Sequence, residues 1–286
     1  MNKGKIGVQM MVLKEKVEQL GAYSTMKKLY ELGYSAVEVS KIPMNELNVT
    51  EIKKASEDFN IEITAVSAPL EPMLAGASEE TLRDNFDKIV NDCKRLNCGF
   101  IRIGMLPLSI MGNKDEILNF IDRAETMAHK LEEYNIELYY HTHHIEFQKY
   151  NGEYLLDMIK NNTTKLGFEL DVHWIQRAGE NPVEFIKKYK DRISLLHLKD
   201  YRIGSLNITE KDLNDTDKFF EKFTNIIEFA EIGEGNLDIP KIINTGLDNG
   251  VKYFLIEQDD TYGRDPFESL EISANNLRSL GYESWF

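Results

Sequence analysis

Eight short apolar or β-branched runs alternate with longer amphipathic stretches along the whole chain, and that alternation restricts the fold more than any other feature. The runs are Lys5 to Met10, Ala36 to Ser40, Glu62 to Ala68, Phe100 to Met105, Ile136 to His143, Leu166 to Val172, Ile193 to Asp200 and Lys252 to Asp259. Parallel strands joined by crossover helices produce this pattern. The stretches between them carry helical spacing. In "STMKKLYELGY", Met26, Leu29 and Tyr30 share a face, Ser24 or Thr25 stands where a cap is wanted, and Gly33 supplies a stop. In "EETLRDNFDKIVNDCKRLN", Leu82, Phe86, Ile89, Val90 and Cys93 form one stripe behind a candidate cap, Ser78. Strand then helix, eight times over, predicts an α/β fold, a closed (β/α)8 TIM barrel. No Pro/Gly/Ser linker interrupts the series, so residues 1–286 are expected to form a single domain. Arg202 to Gly235 is the longest irregular stretch, of the kind that makes lids or insertions. The "AEIGEGNLDIP" that closes it sets Asp238 and Pro240 at a helix start near the barrel mouth.

Composition narrows the partners. Acids outnumber Lys plus Arg by 48 to 34, a formal charge of −14 that repels a phosphate backbone and argues against nucleic acid. The apolar runs fall far short of the ~20 residues of a membrane span, and the start runs straight into a strand without an export-signal pattern. Cys93 and Cys98, at a spacing that suits neither a disulfide framework nor a metal knuckle, read as buried structural thiols. A reducing, cytoplasmic setting fits that usage. The charge runs "KKASED" and "EKDLNDTDKFFEK" read as wet faces.

The chemistry gathers at the carboxyl ends of the runs. In a closed parallel barrel those ends converge on one mouth, where the reacting groups of such enzymes sit. The ends carry Gln9, Glu38, Ser67, His141 with His143, Asp171 with His173, His197 with Lys199, and Glu257 with Asp259. Apolar strands that finish in ionisable groups are costly unless each buried charge finds a partner or a metal. Alternation places both members of a pair such as His141 and His143 on one face. Imidazoles and carboxylates from four strands make a mixed N/O set suited to one divalent ion, Mn, Zn, Co or Mg.

"YYHTHHIEF", "FELDVHWIQRAGENP", "LLHLKD", "IGEGNLDIP" and "LIEQDD" carry a resemblance, over nearly the whole chain, to the xylose isomerase-like family of sugar isomerase/epimerase barrels. The resemblance implies a single divalent metal held at the ends of the fifth to eighth strands, commonly by Glu, Asp, His and Glu. Asp171, His197 and Glu257 match that set, and the fifth-strand acid falls on His141, with His143 and Glu146 as other candidates for the first ligand. It also implies proton transfer next to a sugar carbonyl through an enediolate. Of the two acids that do this in related epimerases only Glu257 is present; Glu146 is the candidate second acid or hydroxyl contact, and Lys199 a proton donor or oxyanion partner.

Each residue also has a plainer reading. A lone strand histidine is more often a hydrogen-bonded core group, and it is the convergence of four strand ends that favours ligands. Trp174 is either packing or a platform for the apolar C–H face of a sugar. Glu38 is either a hydroxyl contact or the ion-pair partner of Arg102, Lys199 could neutralise Asp200 or Glu234, and His129 and His144 read as surface residues. The expected function is a metal-dependent isomerase or epimerase of a sugar, sugar phosphate or polyol. A keto-sugar or inosose dehydratase is the alternative, and an abasic-site endonuclease relative a more distant one. The expected partners are a small carbohydrate and, as in relatives of this kind, further copies in a homo-dimer or tetramer, with no nucleic acid and no membrane.

Overall fold

The protein is described by a computed structural model over residues 3–74 and 79–286. Eight strands close a parallel barrel in chain order: β1 (Lys5–Gln9), β2 (Ala36–Val39), β3 (Glu62–Ser67), β4 (Phe100–Ile103), β5 (Glu137–His141), β6 (Gly167–Asp171), β7 (Leu195–Leu198) and β8 (Tyr253–Ile256). The last strand pairs with the first, Lys5 opposite Tyr253 through Val8 opposite Ile256. Every run read as a strand is one, and helices cover the outside as the alternation requires. Among the described residues no helix is long and apolar enough to cross a membrane.

Two apolar layers result. Outward-facing strand residues pack against the helices, as where the Tyr140 and Phe120 rings meet edge-on with centroids 6.4 Å apart. Inward-facing Ala65, Tyr139, Leu195 and Leu255 form a separate plug inside the barrel, with Phe100 and Tyr253 against it. Gly167 makes room for this plug, since a Cβ there would stand 2.6 Å from the Tyr139 ring. Both cysteines are free and buried, as expected.

Several boundaries differ from the sequence reading, each for a local reason. The second helix of the chain starts at Ala22 behind Gly21 (φ +83°), so Ser24 and Thr25 lie within it, and the Thr25 hydroxyl donates back to the Gly21 carbonyl at 2.9 Å. Tyr30, expected on the buried stripe, is exposed and stacks on Phe59, whereas Gly33 has the left-handed φ of +94° that its role as a stop requires. The helix expected from residue 79 spans Phe86–Arg95, because Thr81 and Asp84 bond each other in a turn ahead of it. Ser78 lies outside the described residues.

Strand β5 ends at His141, short of His143, because the chain turns into a 3-10 turn at Ile145–Phe147. The stretch from Arg202 to Gly235 is not irregular. Asp200–Ile203 pairs antiparallel with Ile227–Ala230, and helices Glu210–Leu213 and Thr216–Thr224 lie between, forming a projecting arm. Asp238 does cap the next helix, Ile239–Asp248, accepting from the Lys241 amide at 3.2 Å.

Candidate active site

Two residues beyond the apolar plug the barrel interior changes character. Period-two alternation carries Phe100 to Arg102, Tyr139 to His141, Leu195 to His197 and Leu255 to Glu257, all pointing inward and all buried. Asp171 arrives at the same level from β6, opposite His197 in the strand pairing. It is also the cap of the helix Val172–Arg177. Its Oδ1 accepts from the His173 and Trp174 amides at 2.8 and 3.1 Å. That use fixes the carboxylate and leaves Oδ2, fully buried, with no hydrogen-bond partner.

His197 is the hub. Its Nδ1 lies 2.6 Å from Glu257 Oε2 and 2.9 Å from His141 Nε2, and its Nε2 lies 3.1 Å from Glu169 Oε1 and 3.2 Å from Glu38 Oε2. The Arg102 guanidinium lies beneath, with Nε 2.7 Å from Glu169 and 3.1 Å from Glu38. Glu257 is steadied from the other side by the Gln9 amide, which donates to Oε1 at 2.9 Å. Above, Lys199 Nζ sits 2.7 Å from Asp259, 3.6 Å from Glu257 and 3.7 Å from Asp171. Asp259, not Asp200 or Glu234, is therefore the partner of Lys199; the Asp200 carboxylate is occupied by the Tyr201, Gly233, Gly235 and Leu237 amides.

These groups carry the marks of excess buried negative charge. Burial, aided by the Glu169 carboxylate, pushes Glu38 up to about 7, and burial pushes Asp171 up to about 7 against the pull of Lys199. Burial alone would lower His197, yet Glu169, Glu257 and Glu38 hold it well above the usual imidazole range. Burial and then the Arg102 charge bring His141 down to about 3, so that ring is neutral and free to act as a ligand. Lys199 and the imidazoles hold Glu257 well below the usual carboxylate range against its burial.

The donor set fits a divalent cation. One atom each from His141, Asp171, His197 and Glu257 lie within 4.8 Å of one another, all buried. Ligands at about 2.0–2.2 Å around one ion have mutual distances of that order, and the unpartnered Asp171 Oδ2 supplies the free lone pairs. The second nitrogen of His197 is held by carboxylates, the arrangement that orients imidazole ligands. A cation there would also offset the carboxylate excess.

Most of the residues singled out in the sequence come together here. His143 sits beside the cluster, its ring centroid 4.6 Å from that of His141, and its Nδ1 has no partner. Trp174 lies under Lys199, whose Nζ is 4.8 Å from the indole centroid. Glu38 pairs with Arg102, as one of its two readings had it, while also meeting His197. Glu146 is the residue left out. Both its oxygens are engaged, by the Tyr140 hydroxyl at 2.7 Å and the His143 amide at 2.8 Å, and Tyr140 faces the helical layer. His144 and His129 are exposed, as expected.

Glu169 was missed, although counting back two from Asp171 along "FELD" finds it. Phe229 and Tyr201, which reach the mouth from the arm, were also missed. Phe229 lies 5.1 Å from Lys199 Nζ and 5.0 Å from the His173 ring, and Tyr201 lies 5.4 Å from that ring. No local sequence signal marks either one.

Comparison with known proteins agrees with this architecture. Residues 26–280 match the family model described as xylose isomerase-like TIM barrel. Among curated proteins, an inosose dehydratase from Clostridium botulinum is 33% identical over 108 residues, which covers 37% of this chain and 34% of that protein. The match thus spans about a third of the relative's length. Among solved structures, a sugar phosphate isomerase/epimerase from Parabacteroides distasonis superposes with a TM-score of 0.69 at 22% identity, covering 99% of this chain and 96% of that one. A probable 3-DHS dehydratase of petrobactin synthesis from Bacillus anthracis gives 0.68 at 15% identity, covering 96% and 98%. At these identities the structures show a shared fold.

Proposed function

The chain belongs to the xylose isomerase-like TIM barrel family, and from that premise and the buried cluster at its mouth we propose a divalent-metal-dependent isomerase or epimerase of a sugar, sugar phosphate or polyol. The observation that carries this reading is the convergence of His141, Asp171, His197 and Glu257 on one point, with Asp171 Oδ2 left unpartnered beside Lys199. Those four would hold the ion, and Mn, Zn or Co suits two nitrogens and two oxygens better than Mg does. When bound, the cation polarises a carbonyl and the hydroxyl next to it.

The chain's own groups supply the rest. Glu257, held ionised, is the base that takes a proton from the carbon beside the carbonyl. Lys199, kept charged by Glu257, Asp171 and Asp259 against its burial, faces the oxygen on which negative charge develops. Trp174 and Phe229 flank the ammonium and cover the C–H face of the substrate, which keeps water from the carbanion. His143, with its free ring nitrogen, contacts a hydroxyl.

One observation favours a second reading, dehydration of a keto sugar or inosose. With Glu146 bonded to Tyr140 and His143, acid and base lie on one side of the mouth, as Glu257 and Lys199. That geometry suits removal of a proton and loss of water from neighbouring carbons. The Clostridium botulinum relative, an inosose dehydratase, agrees with it. Product analysis in deuterated water decides. Deuterium incorporated with no loss of water supports the isomerase or epimerase; an unsaturated ketone supports the dehydratase; chelator-insensitive turnover would remove both.

A further inference from the structure

Beside the mouth, the loops leaving β4, β5 and β6 border an open cavity of about 340 Å³, lined by Met111, His144, Ile145, Phe147, Gln148, Arg177 and Ala178. All three loops leave the carboxyl ends of their strands, so the cavity opens on the same face as the cluster. Its size falls at the small end of the roughly 300–1,000 Å³ typical of small-molecule sites. His144 joins this lining to the mouth. The His144 ring packs on Trp174 at 4.8 Å, and that indole also meets groups of the mouth, Lys199 at 4.8 Å, His173 at 4.8 Å, His143 at 5.7 Å and Phe229 at 6.2 Å. The indole Nε1 is buried with no hydrogen-bond partner, an expense that an incoming hydroxyl would relieve.

We propose that this cavity is a second saccharide subsite, so that the substrate is a glycoside whose reacting ring lies at the cluster and whose second ring passes Trp174 into the space between Met111 and Arg177. The inference rests on reading the mouth as a sugar site. The lining is that of a ring-binding site. Arg177, His144 and Gln148 offer hydrogen bonds to hydroxyls, and Met111, Ile145 and Ala178 offer apolar contact to a C–H face. None of these residues touches the four candidate ligands through an ion pair or hydrogen bond among the described residues, so the subsite can be altered without touching the reacting end.

The test compares cellobiose and glucose binding to manganese-loaded protein by saturation-transfer NMR and titration, in the wild type and in Ala178→Trp, Met111→Trp and Arg177→Ala. Ala178 has ordinary right-handed helical backbone at its helix end and lines the cavity, so an indole there is chosen to fill it. The expected result is cellobiose binding at least about tenfold tighter than glucose, the gain of a modest second contact surface. Either filling variant should remove that advantage, and Arg177→Ala should reduce it, with glucose affinity and bound manganese unchanged. Equal affinity for the two sugars, or an advantage that survives both filling variants, overturns the subsite and leaves the mouth assignment standing. Failure of both sugars to bind overturns the mouth assignment as well.

Discussion

The lower and upper halves of the barrel interior are built from the same strands and do opposite things. Leu195, Leu255 and Tyr139 fill the lower half with apolar atoms; two residues on, His197, Glu257 and His141 fill the upper half with ionisable ones. The lower half stabilises by burial at about 25 cal/mol per Å². The upper half is held by mutual pairing of charges whose desolvation is unfavourable, and buried ion pairs of this kind contribute little net stability. One pleat thus separates the part of the interior that holds the barrel together from the part that carries the ionisable cluster.

Breaking the upper half should cost activity first. Glu257→Gln should lower kcat by about 10²–10⁴-fold, the usual worth of a positioned base, with the circular dichroism of the fold retained. A loss under tenfold would remove Glu257 from the reaction. The seam between the halves is Arg102, the guanidinium that meets Glu38 and Glu169. Arg102→Leu strands two buried carboxylates, and urea unfolding should show a loss of roughly 3–5 kcal/mol. An unchanged midpoint would mean that those acids are protonated in the folded protein. In the lower half Leu255→Ala should cost about 2–5 kcal/mol of stability while kcat stays within a few-fold. A large fall in kcat at full folding would contradict the separation of the two halves.

The smallest effect lies outside the barrel interior and calibrates the electrostatics. Glu125 accepts from the Thr164 hydroxyl and the Thr164, Lys165 and Leu166 amides, and these bonds, opposed by burial, bring it down to about 2. Its unfolded value is near 4.3. The stabilisation is therefore fully present above that value and is lost as pH falls through about 2. Solvent screening of this partly exposed group keeps the effect to about 1 kcal/mol. Glu125→Gln should flatten stability between pH 5 and pH 2 by that amount, and an identical pH profile would show the clasp to be idle.

What the sequence made legible follows physical range. Strand and helix periodicities are local, so all eight strands and the gathering of ionisable groups at their carboxyl ends could be read from spacing, while the choice of Asp171, His197 and Glu257 among those groups is what the family resemblance implies. The end of β5 could not, because it depends on Glu146 capturing the His143 amide while Thr142 accepts from the Asp171 amide 29 positions away. Glu146 itself looked available for catalysis because its partner Tyr140 faces the helices, and that orientation follows from the register of β5. The arm was read as irregular since its ribbon joins Asp200–Ile203 to Ile227–Ala230 across an intervening polar, charged stretch. Glu169 was overlooked by reading strand ends alone, although alternation puts it on the same inner face as Asp171.

Metal content tests the central claim most directly. Protein purified without chelator, and the Asp171→Asn variant beside it, should be assayed by elemental analysis after dialysis against a mixture of Mn, Zn, Co and Mg. One tightly held divalent ion per wild-type chain, lost from the variant, is the predicted result. A wild-type chain that retains no divalent ion, or a variant that holds it as firmly, would contradict the assignment of the cluster.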